Sequence, residues 1–255
     1  MLAPFFVMVL VSFSPEQQLV FKELGGVVKH LTFNNYYHVT DTIPVMRYFI
    51  NSLAVAVLTT IGQVVVSSLA GYAFARIDFK GRNIIFFMIL ITMFVPPQVN
   101  IIPLFFLMRE LHLVDSYPAL ILPGIFGGFG VFLMRQHFLS FPKELEDASI
   151  IDGCNKLQMF FKIALPLALP AVATLAIFTF ISSWNSFIWP LIVTNSEAMR
   201  TLPLGLAIFK GSYREVIEWG DLLACSVVCT LPAVVIFLLG KKYIINDMMK
   251  GGVKG

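Results

Sequence analysis

Long apolar runs alternate with short polar segments along this chain. The runs without a charged side chain are Met1–Pro15, Tyr48–Ala75, Asn83–Met108, Ser116–Met134, Ile163–Ser196 and Leu222–Gly240. A helix needs roughly 20 apolar residues to cross about 30 Å of hydrocarbon, so five of these runs are long enough. The pattern predicts an all-α membrane protein, a polytopic bundle of helices.

The first run is shorter than the others. Its apolar part, residues 1–13, is too short for a span, and it lacks the basic region and cleavage site of a signal peptide. We expect it to be the outer end of a first helix whose beginning is missing from this sequence. Residues 16–47 are mixed and polar, and we expect them to form an exposed loop.

Small residues recur at four-residue spacing in two of the long runs, at Ser67, Gly71 and Ala75 and again at Gly124 and Gly128. Such spacing lets membrane helices approach closely. We favour a packing role for these positions over a gating role.

Prolines interrupt the third run at positions 96, 97 and 103. Proline removes a helical hydrogen bond, so we expect this helix to kink or break near Val95. Whether the break lines a cavity or only serves packing stays open.

Composition narrows the class of protein. The chain is 58% hydrophobic and 13% charged, with a mean hydropathy of +0.83, which is too apolar for a soluble domain. The net charge of +3 is too small to indicate binding of nucleic acid. Because the chain is so apolar, we expect membrane lipid to surround it. The four histidines are scattered, and we expect neither a metal nor a cofactor.

A polar island at residues 140–166 stands between two apolar runs. Glu144, Glu146 and Asp147 suit the positive end of a helix dipole. Leu145, Ala148 and Ile151 form a short apolar stripe on the same helix, which Gly153 ends.

A second short helix is predicted after the glycine, because Asn155 and Gln158 have the spacing of a capping box. The island is therefore expected to be two short helices joined by Gly153.

The distribution of positive charge predicts the orientation of the chain. Counted by alternate sides of the membrane, 11 of the 18 Lys and Arg residues lie in segments 76–82, 135–162 and 241–255. The positive-inside rule puts these segments in the cytoplasm, with the island and the C-terminus.

The string Ser183-Trp184-Asn185 follows the island within an apolar run. Polar side chains in a span are costly unless they face other helices or water. Two roles are equally favoured for Trp184 and Asn185: interfacial anchoring, by Trp184 together with Trp189, and the lining of a path for a neutral polyhydroxylated solute.

Catalytic signatures are missing from the sequence. It contains no Gly-x-x-x-x-Gly-Lys-Ser phosphate loop and no Gly-x-Ser-x-Gly elbow, so we expect no enzyme activity and no ATP hydrolysis by this chain. The five long runs contain no Asp, Glu or His, which argues against a proton-driven carrier. A secondary transporter for small polar solutes coupled to sodium, and a membrane scaffold or assembly protein, remain as alternatives.

The island resembles the coupling loop of the membrane subunits of binding-protein-dependent ABC importers. That loop reads Glu-Ala-Ala, three residues, Gly, nine residues, Ile-x-Leu-Pro, and the matching segments here are Asp147-Ala148-Ser149, Gly153 and Ile163-Ala164-Leu165-Pro166. Asp147 replaces the family's Glu, and Ser149 replaces its second Ala. The Trp184 string and the glycine-rich C-terminus resemble the carbohydrate-uptake branch.

The resemblance implies a type I importer permease with six transmembrane helices in the family, the first truncated here. Residues 1–255 would be a single permease domain, with 140–166 as its cytoplasmic coupling loop. The implied partners are a second, related permease subunit that makes a heterodimer, two ATP-binding subunits and an extracytoplasmic solute-binding protein.

The coupling residues predicted on this basis are Glu146, Asp147, Ala148 and Gly153, and the path residues are Ser183, Trp184 and Asn185.

Overall fold

The protein is described by a computed structural model that covers residues 3–14, 31–142, 144–151, 153–211 and 219–252. Every regular element within these ranges is a helix. The helices are α1 (Ala3–Ser12), α2 (Asn34–Thr42), α3 (Val45–Arg76), α4 (Arg82–Thr92), α5 (Ile101–Glu110), α6 (Tyr117–Ile125), α7 (Gly128–Leu139), α8 (Glu144–Ile151), α9 (Lys156–Leu167), α10 (Leu169–Trp184), α11 (Ile188–Val193), α12 (Leu202–Gly211) and α13 (Trp219–Gly252).

Helix α3 is the centre of the bundle. Its 32 residues pack against α6, α7 and α10, and α10 packs in turn against α13. At 1.5 Å per residue it is about 48 Å long, more than enough to cross a membrane. We call the end of α3 at Arg76 the loop end, and the end at Val45 the far end.

The structure agrees with the prediction of five long spans if each bent helix pair is one span. Among the described residues, Val45–Arg76 and Trp219–Lys242 are long and apolar enough to cross a membrane, and three bent helix pairs bring the number to five. The pairs are α4 with α5, α6 with α7, and α9 with α10. The short first run forms α1, which packs on α13.

Prolines account for the two sharpest bends. Helix α4 ends at Thr92, Pro96 is extended, and the chain turns by 95° before it continues through Pro97, so the break predicted near Val95 is confirmed. The second bend, of 76°, separates α9 from α10. Pro166 lies just before it and lacks the N–H that a regular helix needs.

The interpretation of the small residues as packing positions agrees with two close helix contacts. A Cβ on Gly71 would lie 2.6 Å from the Cβ of Met134 and 2.8 Å from the backbone nitrogen of Arg135, both on α7. A Cβ on Gly124 would lie 2.6 Å from Thr59 on α3. Gly128 faces α4 instead, at the carbonyl of Ile89.

The expectation of an exposed loop at 16–47 is wrong for its second half. Asn34–Thr42 is helix α2, which packs against α13. The Asn35 amide donates to the carbonyls of Ser12 and Ser14 at 2.9 Å each, which fastens α2 to the end of α1. Residues 15–30 lie outside the described ranges.

Candidate functional site

The polar island folds as predicted, into two short helices joined at Gly153. Helix α8 carries Glu144, Glu146 and Asp147 in its first turn. It ends in a Schellman arrangement, in which the N–H of Gly153 donates to the carbonyl of Ile150 at 3.0 Å and the next N–H donates to Ser149 at 2.9 Å. Gly153 has φ +76°, a conformation that glycine adopts without steric cost.

Helix α9 begins with the predicted capping box. The Asn155 side chain accepts from the N–H of Gln158 at 2.8 Å, and the Gln158 side chain accepts from the N–H of Asn155 at 3.0 Å. Both ends of the connection between α8 and α9 are therefore held by local hydrogen bonds, which give the loop a defined shape.

Arg76 fastens the loop to the bundle. Its Nη1 lies 2.7 Å from Oε1 of Glu146 on α8. Its Nε and Nη2 donate to the carbonyl of Phe138 at 2.9 and 2.6 Å, and Nη2 also donates to the carbonyl of Phe141 at 2.6 Å. The sequence did not predict this role for Arg76, which contributed only to the count of positive charge in segment 76–82.

The four predicted coupling residues divide into two groups. Glu146 points toward the bundle, with its side chain 23% exposed and paired to Arg76. Asp147, Ala148 and Gly153 are exposed on the outer surface of the loop. Only this second group is open to a partner protein in the structure.

The apolar stripe predicted on α8 is not its buried face. Ile151 is 86% exposed and Leu145 is 41% exposed. Ser149 is buried instead, and its hydroxyl donates to the carbonyl of Leu145. Ile150, on the same helix, and Leu157, on α9, are exposed as well. A membrane loop with this much exposed apolar surface has the character of a protein interface.

The three predicted path residues lie at the end of α10 but differ in exposure. Trp184 is 1% exposed, and its indole N–H donates to the carbonyl of Cys229 on α13 at 2.8 Å. Its ring stacks on Phe180 with 5.9 Å between centroids. Trp184 therefore belongs to the core of the chain here and is not a surface anchor. Ser183 is half-buried and Asn185 is exposed where α10 ends.

The far end is closed by hydrogen bonds between loops. Oδ1 of Asp115 accepts from the backbone N–H groups of Asn195 and Ser196 at 2.9 and 3.0 Å. Burial would raise the pKa of Asp115, but these hydrogen bonds outweigh burial and hold the pKa below its ordinary value of 3.8. The amide of Asn51 on α3 donates to the carbonyls of Ala198 and Arg200, both at 2.8 Å.

Different loops therefore pack against the two ends of α3. The loop end gathers residues 76–82, 135–142 and 144–151, and the far end gathers residues 115 and 195–200. The first group comes from the segments with excess Lys and Arg.

Comparison with known proteins identifies the family. The model of the inner membrane component of binding-protein-dependent transport systems matches residues 63–249. The chain belongs to this family. It is accordingly a multi-pass protein of the inner membrane with the type I permease fold.

Two relatives match this chain over nearly their whole length. The arabinooligosaccharides transport system permease protein AraQ of Bacillus subtilis is 40% identical, with 100% of this chain and 91% of the relative covered. The trehalose/maltose transport system permease protein MalG of Thermococcus litoralis is 36% identical, with 100% and 92% covered.

A solved structure supports the same fold. A chain in the crystal structure of a bacterial ABC transporter involved in the import of the acidic polysaccharide alginate superposes with a TM-score of 0.82. It is 25% identical, and the match covers 95% of this chain and 90% of that chain.

Proposed function

We propose that this chain is the permease subunit of an ATP-driven carbohydrate importer. Two relatives named for oligosaccharide or disaccharide transport and the alginate importer support this substrate class. Residues 1–255 then act as one transmembrane domain, with 140–166 as the coupling loop. This chain forms the path with a second permease subunit, and a solute-binding protein outside the membrane delivers the sugar.

Energy enters through the coupling loop, and the observation that carries this proposal is the exposed face of α8. Asp147 and Ala148 are open to a partner, and Ile151 stands beside them at 86% exposure. Two ATP-binding subunits hydrolyse ATP, and one of them docks on this face. Asp147 supplies a polar contact, Ala148 permits close approach and Gly153 permits the turn behind them.

The orientation follows from the charge distribution. The loop end carries the basic segments 76–82 and 135–162, so the positive-inside rule puts it in the cytoplasm. The far end, with Asp115 and Asn195, then faces the binding protein.

The solute path runs past the end of α10. Ser183 and Asn185 offer a hydroxyl and an amide to a polyhydroxylated solute, as expected for hydrogen bonding to a sugar. Trp184 contributes by fixing the position of this helix end through its bond to Cys229.

Purification of the intact complex tests the proposal. We expect two ATP-binding subunits, a second permease and a binding protein that carries a sugar detectable by mass spectrometry. Reconstituted vesicles should take up that sugar only with ATP inside the compartment that bears the loop end. A scaffold would give a complex without uptake, and a sodium-coupled carrier would give uptake without ATP.

A further inference from the structure

Arg76 connects three segments at the loop end. It is the last residue of α3, and its side chain is only 9% exposed. The guanidinium reaches Glu146 on α8 and the carbonyls of Phe138 and Phe141, which lie at the end of α7 and just beyond it. The contacts use Nε, Nη1 and Nη2, so all three nitrogens of the group are engaged.

The chemistry of this contact set requires arginine. The last carbonyls of a helix have no partner within the helix, and α7 ends at Leu139. A guanidinium presents five N–H groups in one rigid plane, whereas an ammonium is a compact charge on a flexible stem. A lysine at this position can bind the carboxylate or the carbonyls, but it cannot hold both in the same geometry.

Apolar side chains pack around this contact, between the coupling loop and the bundle. The ring of Tyr72 on α3 lies 5.2 Å from Phe160 on α9 and 5.4 Å from Phe138 on α7, measured between centroids. The cavity between these helices and α8 has a volume of only about 20 Å³, and Arg76 and Glu146 are among its lining residues. The inner face of α8 therefore lies close against the residues that surround Arg76.

We propose that Arg76 is the positioning residue that makes the coupling loop move as one body with α3 and α7. A displacement of α8 by the ATPase then reaches the membrane-spanning helices instead of being lost in the loop. The inference rests on the proposed function and adds a residue that the ATPase does not touch. Asp147 and Ala148 dock the partner, and Arg76 with Glu146 transmits the movement.

The amount of solute transported per ATP hydrolysed distinguishes a role of Arg76 in transmitting movement from a role in docking the ATPase. The variants are Arg76→Met and Arg76→Lys in the reconstituted complex. The control is Arg82→Gln, which removes the same charge at the same end. Arg82 pairs at 2.6 Å with Asp78, which is 97% exposed, so this pair is a surface contact.

We expect Arg76→Met to retain the ATPase subunit and its hydrolysis, and to lose about tenfold or more in solute per ATP. Arg76→Lys should fall between this variant and the wild type, and Arg82→Gln should match the wild type. An unchanged ratio in Arg76→Met overturns the inference. Loss of the ATPase subunit from Arg76→Met also overturns it, because Arg76 would then serve assembly.

If Arg76→Met fails to fold, a distance measurement in protein that keeps Arg76 and Glu146 decides the matter. Spin labels are placed at Gln136→Cys on α7 and Glu144→Cys on α8, both exposed and neither assigned to docking, after replacement of the three native cysteines. We expect the distance between labels to stay the same with and without ATP while uptake proceeds. A change on ATP binding shows that the loop moves alone and refutes the inference.

The two proposals fail in different ways. If the wild-type complex contains no ATPase or shows no ATP-dependent uptake, the proposed function is wrong. If the wild type is active and the labels separate, only the role of Arg76 is wrong.

Discussion

Gly153 offers a direct test of how the coupling loop holds its shape. Its φ of +76° lies in the left-handed region, and a Cβ added there would meet nothing within 4 Å. Replacement by alanine therefore changes the backbone energy alone, without a steric clash. Alanine pays about 1–2 kcal/mol in this conformation, whereas asparagine adopts it more readily.

The cost should appear as local opening of the loop. The N–H groups of Gly153 and Cys154 bond to the end of α8 at 3.0 and 2.9 Å, so they exchange with solvent only when this turn opens. A cost of 1–2 kcal/mol raises the open population about 5- to 30-fold. Gly153→Asn should raise it less than about threefold.

Hydrogen exchange followed by mass spectrometry measures this opening in the purified complex. We expect the peptide that spans 149–156 to exchange faster in Gly153→Ala than in Gly153→Asn, while peptides from α3 stay unchanged. Equal exchange in the wild type and Gly153→Ala would refute the assignment of a left-handed glycine. Faster exchange in α3 as well would show that the substitution acts on the bundle.

Three further predictions follow from other contacts. Gly71→Ala should lower the free energy of unfolding by about 1–3 kcal/mol, because Met134 and the α7 backbone block the new methyl group. The measurement is thermal unfolding in detergent, and we expect a lower transition temperature. An unchanged transition temperature contradicts the close contact. Because the folded pKa of Asp115 is lowered, its carboxylate stabilises the far end at pH above 3.8 and loses this effect as pH falls through the lowered value. Stability curves of Asp115→Asn and the wild type should therefore differ at pH 7 and converge in acid, and parallel curves would argue against the pairing. In a background without native cysteines, a membrane-impermeant thiol reagent should label Tyr37→Cys in intact spheroplasts. It should label Leu157→Cys only in inverted vesicles. The reverse pattern would show that the chain has the opposite orientation in the membrane.

The spans were predictable because lipid imposes a simple rule. Apolar length decides whether a helix can cross, so the run Tyr48–Ala75 corresponds closely to Val45–Arg76. Proline chemistry is equally local, which is why the break near Val95 could be placed. Helix α2 was not predicted, because its polar residues are typical of a loop. Asn35 binds the end of α1, a contact that only the folded structure shows.

The loop was predictable where its chemistry is local in sequence. Gly153 and the pair Asn155 and Gln158 act within a few residues, so their spacing was informative. The bond from Arg76 to Glu146 joins residues that are distant in sequence, and nothing in the local pattern indicates it. The sequence therefore predicted Glu146 as a coupling residue but did not indicate that its carboxylate pairs with Arg76.

The burial of Trp184 also depends on tertiary structure. Its position before Asn185 suggested either an anchor or a path, since a tryptophan in an apolar run suits both. The carbonyl of Cys229 that accepts its N–H lies on another helix, as does much of the surrounding core. Side-chain exposure at a helix end is set by such neighbours and cannot be read from one helix.

The most direct test of the account is capture of the ATPase at the coupling loop. A photo-crosslinking residue at Ala148 should capture an ATP-binding subunit in cells that are importing the sugar. The same residue at Tyr37, exposed on α2 near the far end, should not. Absence of an ATPase adduct at Ala148 during active uptake would contradict the claim that ATP-driven movement enters this bundle through α8.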